Sequence, residues 1–242
     1  MVTLPKAILF DLDETIISFG SRRLVLQAVI EEFAAQFAPV PPEEAGHAME
    51  AAFRAFWSDE DRAAFWRQNL GAGRILAVED GFTALRDRAP ALTPDFARIF
   101  GERFHVYREE QAKFFPGALE TIQAFKALGV KLALVTNGAA APQRAKVERF
   151  NLAPLFNHVQ IEGEAGFGKP QERAYVHAMQ VLGVEPHETW MVGDNLEWEV
   201  VAPQRLGIYA IWHDHLGEGV PAGSTVRPDR IVRSIAELMP TR

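Results

Sequence analysis

Asp11 and Asp13 stand two positions apart at the end of the apolar run Ala7-Ile8-Leu9-Phe10. In an extended segment residues i and i+2 point to the same side, about 6.6 Å apart at ~3.3 Å per residue. Two carboxylates so placed can flank one reacting atom or share a divalent cation that favours oxygen ligands. Two more apolar runs end on polar groups: Val130 to Val135 stops at Thr136-Asn137-Gly138, and Thr189 to Gly193 stops at Asp194. Between them Gly168-Lys169-Pro170 places a cation at the start of a helical pattern. Acids two apart, a hydroxyl, a cation and a third acid are the parts of phosphoryl transfer with a carboxylate nucleophile and a divalent metal.

The elements that must bring these groups together follow from hydrophobic pattern. An uninterrupted apolar run of strand length suits a strand covered on both faces of a parallel sheet. Strands are expected at 7–10, 130–135, 158–161, 189–193, 208–212 and 230–232. Helices are expected between them, at 117–128, 142–150 and about 172–182, each closed by a turn residue such as Gly129 or Gly183. Strand–helix alternation predicts an α/β fold with a doubly wound, Rossmann-like parallel sheet. Such a sheet binds its ligand at the carboxyl ends of its strands, where Asp11, Thr136 and Asp194 fall.

Residues 18–113 read differently. Ten of the 17 Phe residues lie there, on helical stripes such as Leu26, Ile30, Phe33 and Phe37, then Met49, Phe53, Phe56 and Trp57. Ser58 is expected to cap a third helix carrying Phe65, Trp66 and Leu70. Gly71 and Gly73 are expected to break the chain before a helix from Arg74 to Ala89, and Thr93-Pro94 to start another. The block predicts a smaller all-helical domain, 18–113, inserted into a core of 1–17 and 114–242. The expected role is that of a lid supplying substrate contacts, with Arg22 and Arg74 as candidate anion contacts. His213-Asp214-His215 reads as a polar loop in preference to a metal site.

Composition narrows the class. A formal charge of −7 disfavours nucleic acid as a partner, while leaving room for a small phosphorylated metabolite if a cation reverses the local field. The absence of cysteine excludes disulfides, thiol nucleophiles and Cys-zinc sites. No run approaches the ~20 apolar residues of a membrane span, so the expectation is a cytoplasmic protein without a membrane partner.

The motifs Asp11-Leu12-Asp13-Glu14-Thr15, Val135-Thr136-Asn137-Gly138, Gly168-Lys169-Pro170 and Gly193-Asp194-Asn195-Leu196-Glu197-Trp198-Glu199 resemble those of the haloacid dehalogenase-like hydrolase superfamily. The position of the insert is similar to the phosphatase branch with a helical cap after the first strand. That resemblance implies a magnesium-dependent phosphomonoester hydrolase with Asp11 as nucleophile and Asp13 as general acid/base. It implies that Thr136, the Asn137 backbone N–H and Lys169 hold the phosphoryl group. Mg²⁺ would lie between the Asp11 carboxylate, the Asp13 main-chain carbonyl and the Asp194 carboxylate. The family often has Asp where this chain has Glu199, one methylene longer, so Glu199 is expected to act through a metal-bound water. A phosphomutase using the same intermediate, and a non-enzymatic phosphate-binding or interaction protein, are the alternatives on this fold.

Overall fold

The computed structural model describes residues 4–66 and 69–239. Its residues fall into two compact units, Met1–Ser18 with Lys113–Arg242, and Phe19–Ala112.

The first unit is built on a parallel six-stranded sheet. Its strands are β1 (Ala7–Phe10), β4 (Lys131–Thr136), β5 (His158–Ile161), β6 (Thr189–Gly193), β7 (Tyr209–His213) and β8 (Arg230–Val232), in the order β5-β4-β1-β6-β7-β8. The short strands β2 (Ile17–Ser18) and β3 (Lys113–Phe114) pair antiparallel where the chain leaves this unit and returns. Phe10 is in register with Leu134 on one side and Val192 on the other. Asp11 therefore leaves the central strand level with the ends of β4 and β6. Every residue of β1 and β6 is buried, the pattern of strands covered on both faces. Helices α7 (Ala118–Ala127), α8 (Ala140–Arg149), α9 (Glu162–Ala165), α10 (Glu172–Leu182) and α11 (Ala202–Arg205) complete the unit. On one face Tyr175, Ala178, Met179 and Leu182 of α10 pack against Leu9, Ala133, Val135 and Met191.

The second unit is helical: α1 (Arg22–Glu32), α2 (Ala34–Phe37), α3 (Pro42–Ser58), α4 (Glu60–Trp66), α5 (Leu70–Thr83) and α6 (Pro94–Glu110). Its own core contains Phe37, Phe53, Phe56, Phe82, Phe96, Phe100 and Phe104. Phe82 stacks on Phe96 and meets Phe37 and Phe100 edge-on, at centroid separations of 5.5–5.7 Å. Pairs of this kind add to area burial.

Three expectations for this unit are corrected. Ser58 ends α3, and it is Asp59 that caps α4, accepting from Arg62 N at 2.9 Å. Leu70 belongs to the following helix, where the Asn69 side chain accepts from Ala72 N, and residues 67 and 68 lie outside the described residues. Gly71 and Gly73 do not break the chain but sit inside α5. A Cβ on Gly73 would come within 2.9 Å of both Trp57 and Trp66, so that glycine serves helix-to-helix packing. Thr93 caps α6 as expected, accepting from Phe96 N. No described helix is long and apolar enough to cross a membrane.

Candidate active site

Asp11 Oδ1 accepts from Lys169 Nζ at 2.6 Å, and the same ammonium lies 2.7 Å from Glu199 Oε1. All three side chains are buried, Lys169 completely. Burial by itself would push the Lys169 ammonium down, but the carboxylates of Asp11 and Glu199 outweigh it and hold the group charged. Burial raises the Asp11 carboxyl, with Lys169 opposing the shift and Asp13 adding to it. Burial also pushes Glu199 up to about 7 against the pull of Lys169.

Asn137 locks Lys169 in place by its backbone. Its Nδ2 donates to Lys169 O at 2.7 Å and its Oδ1 accepts from Lys169 N at 2.8 Å. The Asn137 side chain is thus spent on the next motif, leaving its main chain as the part able to serve a ligand. The turn is fixed from below by the buried Glu162, which accepts from Gly138 N at 3.0 Å. Thr136 ends β4 buried, its hydroxyl making a long 3.4 Å contact to Asn137 O.

Asp13 follows Asp11 on the loop and is partly exposed. Its carboxylate is held by two residues of α8, Lys146 and Gln143. Glu14, next in the chain, takes a left-handed φ of 57°. Its carbonyl accepts from His213 Nδ1 at 3.0 Å, which places the ring proton on that nitrogen. His213 is therefore not part of a polar loop as expected. It is the last residue of β7, fully buried, and burial pushes its pKa down to about 4.

Asp194 begins the loop after β6, half-buried beside a cavity of about 390 Å³ lined also by Asn195, Trp212 and Asp214. Trp212 Nε1 donates to Asp194 O at 2.7 Å. Burial raises the Asp194 carboxyl well above the usual range, reinforced by the charges of Asp11, Glu199 and Glu14. The loop then enters a π-helical turn, Leu196–Val201, which Asn195 caps by accepting from Glu197 N and Trp198 N. A π-turn widens the helix by one residue and recurs at functional sites. Glu199 reaches back from it to accept from Asn195 N at 2.8 Å. This return path needs Gly193: a Cβ there would meet Glu199 Cγ at 2.0 Å.

Among the described residues no three His, Cys, Asp or Glu side chains close on a common metal position. The donor chemistry nevertheless fits a hard divalent cation. Asp11, Asp194 and Glu199 all have raised pKa values, and Asp11 and Glu199 raise that of Asp194. Excess acid of this kind is relieved by an oxygen-liganded cation.

The network brings together Asp11, Asn137, Lys169 and Glu199 by direct contact, and Asp194 by its field. Arg22 and Arg74 lie in the helical unit. Arg22 makes a two-pronged ion pair with Glu50, and Arg74 Nη1 lies 2.7 Å from His105 Nδ1. Gln143, Lys146, Glu162 and His213 were not singled out as site residues from sequence. Gln143 and Lys146 carry one available signal, two polar residues three apart in the helix that follows the Thr136 strand.

These strands, motifs and contacts define a hydrolase class. A profile of the haloacid dehalogenase-like hydrolases matches residues 5–207, and the chain belongs to that family. It is 38% identical over 122 residues to phosphoserine phosphatase of Thermus thermophilus, covering 50% of this chain and 48% of that one. It is 27% identical over 211 residues to glyceraldehyde 3-phosphate phosphatase of Methanopyrus kandleri, covering 85% and 82%. The chain thus spans about half the length of the first relative and most of the second. A magnesium-bound structure of YfnB from Bacillus subtilis shares the fold with a TM-score of 0.71 at 19% identity, covering 98% and 97%. 2-Haloacid dehalogenase of Pseudomonas syringae pv. Tomato aligns with a TM-score of 0.56 at 25% identity, covering 97% and 96%.

Proposed function

We propose that this chain is a magnesium-dependent phosphomonoester hydrolase that acts on a small phosphorylated metabolite through an aspartyl-phosphate on Asp11. The observation that carries the reading is the buried contact of Lys169 Nζ with Asp11 Oδ1 at 2.6 Å, with a second carboxylate, Asp13, two residues on. The names of the relatives, both phosphatases, support it.

An Asp11 oxygen attacks phosphorus as the bond from phosphorus to the leaving oxygen breaks, and Asp13 gives its proton to that oxygen. Asp13 then takes a proton from water as the water oxygen attacks phosphorus, and the bond to Asp11 breaks to release phosphate. Lys169, the Thr136 hydroxyl and the Asn137 N–H balance charge on the phosphoryl oxygens. The Asp11 and Asp194 carboxylates and the Asp13 main-chain carbonyl would hold Mg²⁺, with Glu199 acting through a water. When bound, the ion supplies charge neutralisation and orientation of the phosphoryl group. Glu199 has a second task, holding the Lys169 ammonium together with Asp11.

A dehalogenase shares this fold but releases halide without protonation and has no use for an acid/base at Asp13. Here Asp13 is held by two buried side chains, which favours the phosphatase. Purified protein assayed against a panel of phosphomonoesters with and without Mg²⁺ tests the reading: metal-dependent phosphate release is expected. Equal release after exhaustive chelation, or release of halide from 2-haloacids alone, would overturn it.

A further inference from the structure

Lys146 Nζ lies 2.6 Å from Asp13 Oδ1 and 2.5 Å from Oδ2, and Gln143 Nε2 donates to Oδ2 at 3.0 Å. Gln143 also donates to Asn137 O at 2.7 Å, tying Asp13 to the turn that ends β4. The two residues are three apart on α8 and so share one face. That face is unusual: the buried residues of α8 are Gln143, Lys146 and Val147, at 3%, 9% and 1% exposure. Burying an amide and an ammonium is costly unless both are well paired. An apolar face would satisfy packing alone with less penalty, so packing does not explain these two residue types.

Their effect is geometric. Asp13 sits on a loop, where an unheld carboxylate samples several rotamers. Three contacts from two directions fix the plane of the carboxylate and the place of each oxygen. Proton transfer requires a heavy-atom distance of about 2.6–3.2 Å, and a misplacement of about 1 Å can cost ~10²-fold in rate.

We infer that Lys146 and Gln143 are positioning residues for the acid/base carboxylate of Asp13, orienting it towards the leaving oxygen and the attacking water. The inference rests on the hydrolase reading above. Its consequence differs between the half-reactions. A 4-nitrophenolate leaves without protonation, so formation of the aspartyl-phosphate survives a misplaced Asp13. Attack by water still needs the base, so breakdown slows.

The test uses the whole protein with Mg²⁺, 4-nitrophenyl phosphate and a set of primary alkyl phosphates. Lys146→Met is expected to lower kcat by about a hundredfold with little change in KM. It should show a burst of nitrophenolate and accumulate acid-stable phosphoenzyme. Lys146→Arg should restore most of the rate, and Gln143→Leu should fall between. Placed in an Asp13→Asn background, Lys146→Met should cost almost nothing more, because coupled residues are non-additive. Circular dichroism confirms that each variant is folded.

Loss of rate without phosphoenzyme, or an undiminished cost of Lys146→Met in the Asp13→Asn background, assigns the pair a purely structural role and overturns the inference. Wild-type protein inert towards every ester overturns the hydrolase reading itself, and the inference with it. Active wild type with an unaltered Lys146→Met variant overturns the inference alone.

Discussion

Lys169 Nζ stands 2.6 Å from Asp11 Oδ1 with the ammonium wholly buried, and Glu199 Oε1 is a second carboxylate partner at 2.7 Å. Removing one partner of such a pair leaves uncompensated buried charge. Lys169→Met is therefore expected to destabilise the fold by about 3–5 kcal/mol, read from urea unfolding. It should also lower kcat by at least ~10²-fold. Full activity in this variant would remove Lys169 from the reaction.

Asp194 gives the opposite sign. Its carboxyl is raised by burial and by Asp11, Glu199 and Glu14, so without metal its charge opposes folding. Asp194→Asn is expected to raise the melting temperature of the metal-free protein. Mg²⁺ at 100 times its Kd should stabilise the wild type by about 2.7 kcal/mol and leave Asp194→Asn nearly unmoved. A variant that responds to Mg²⁺ like the wild type would place the ion elsewhere.

His213 sets a pH dependence. Its folded pKa is about 4, against 6.5 for an ordinary histidine, through burial and then the nearby His215, with the Glu14 carbonyl and Asp214 opposing. A depressed folded value means the unfolded chain binds the extra proton. The His213 contribution is thus fully present above pH 6.5 and lost as pH falls towards 4. Between pH 7 and 5 the loss is about 2 kcal/mol. Urea unfolding should show this slope in the wild type relative to His213→Gln. Identical slopes would mean that His213 is accessible to protons in the folded state.

Much of this arrangement was legible in the sequence, because buried parallel strands announce themselves as apolar runs. β1, β5, β6 and β8 occupy the stretches their patterns indicate, and Asp11, Thr136 and Asp194 stand at or just past the ends of β1, β4 and β6. What sequence did not show were polar side chains acting from a distance. Lys146 and Asp13 are 133 residues apart, and His213 meets Glu14 across 199. No local period encodes such pairs. In the helical unit Gly71 and Gly73 misled: Gly71 lies in the first turn of α5 with open space around it, and Gly73, needed for close helix packing, looks like a glycine that ends a helix.

Gly193 makes a compact test of the strand-to-turn geometry. Because a Cβ there would meet Glu199 Cγ at 2.0 Å, Gly193→Ala is expected to displace Glu199 and cost about 1–3 kcal/mol. It should also weaken activity by loosening Lys169. Unchanged stability would show that the π-helical turn shifts without strain.

The central claim is the covalent step on Asp11. Rapid acid quench with 32P-labelled substrate, followed by peptide mapping, measures it directly. The account predicts label on Asp11 in the wild type, more of it in Asp13→Asn, and none in Asp11→Asn. Label retained in Asp11→Asn, or phosphate released with no labelled protein in either of the other two, would contradict it.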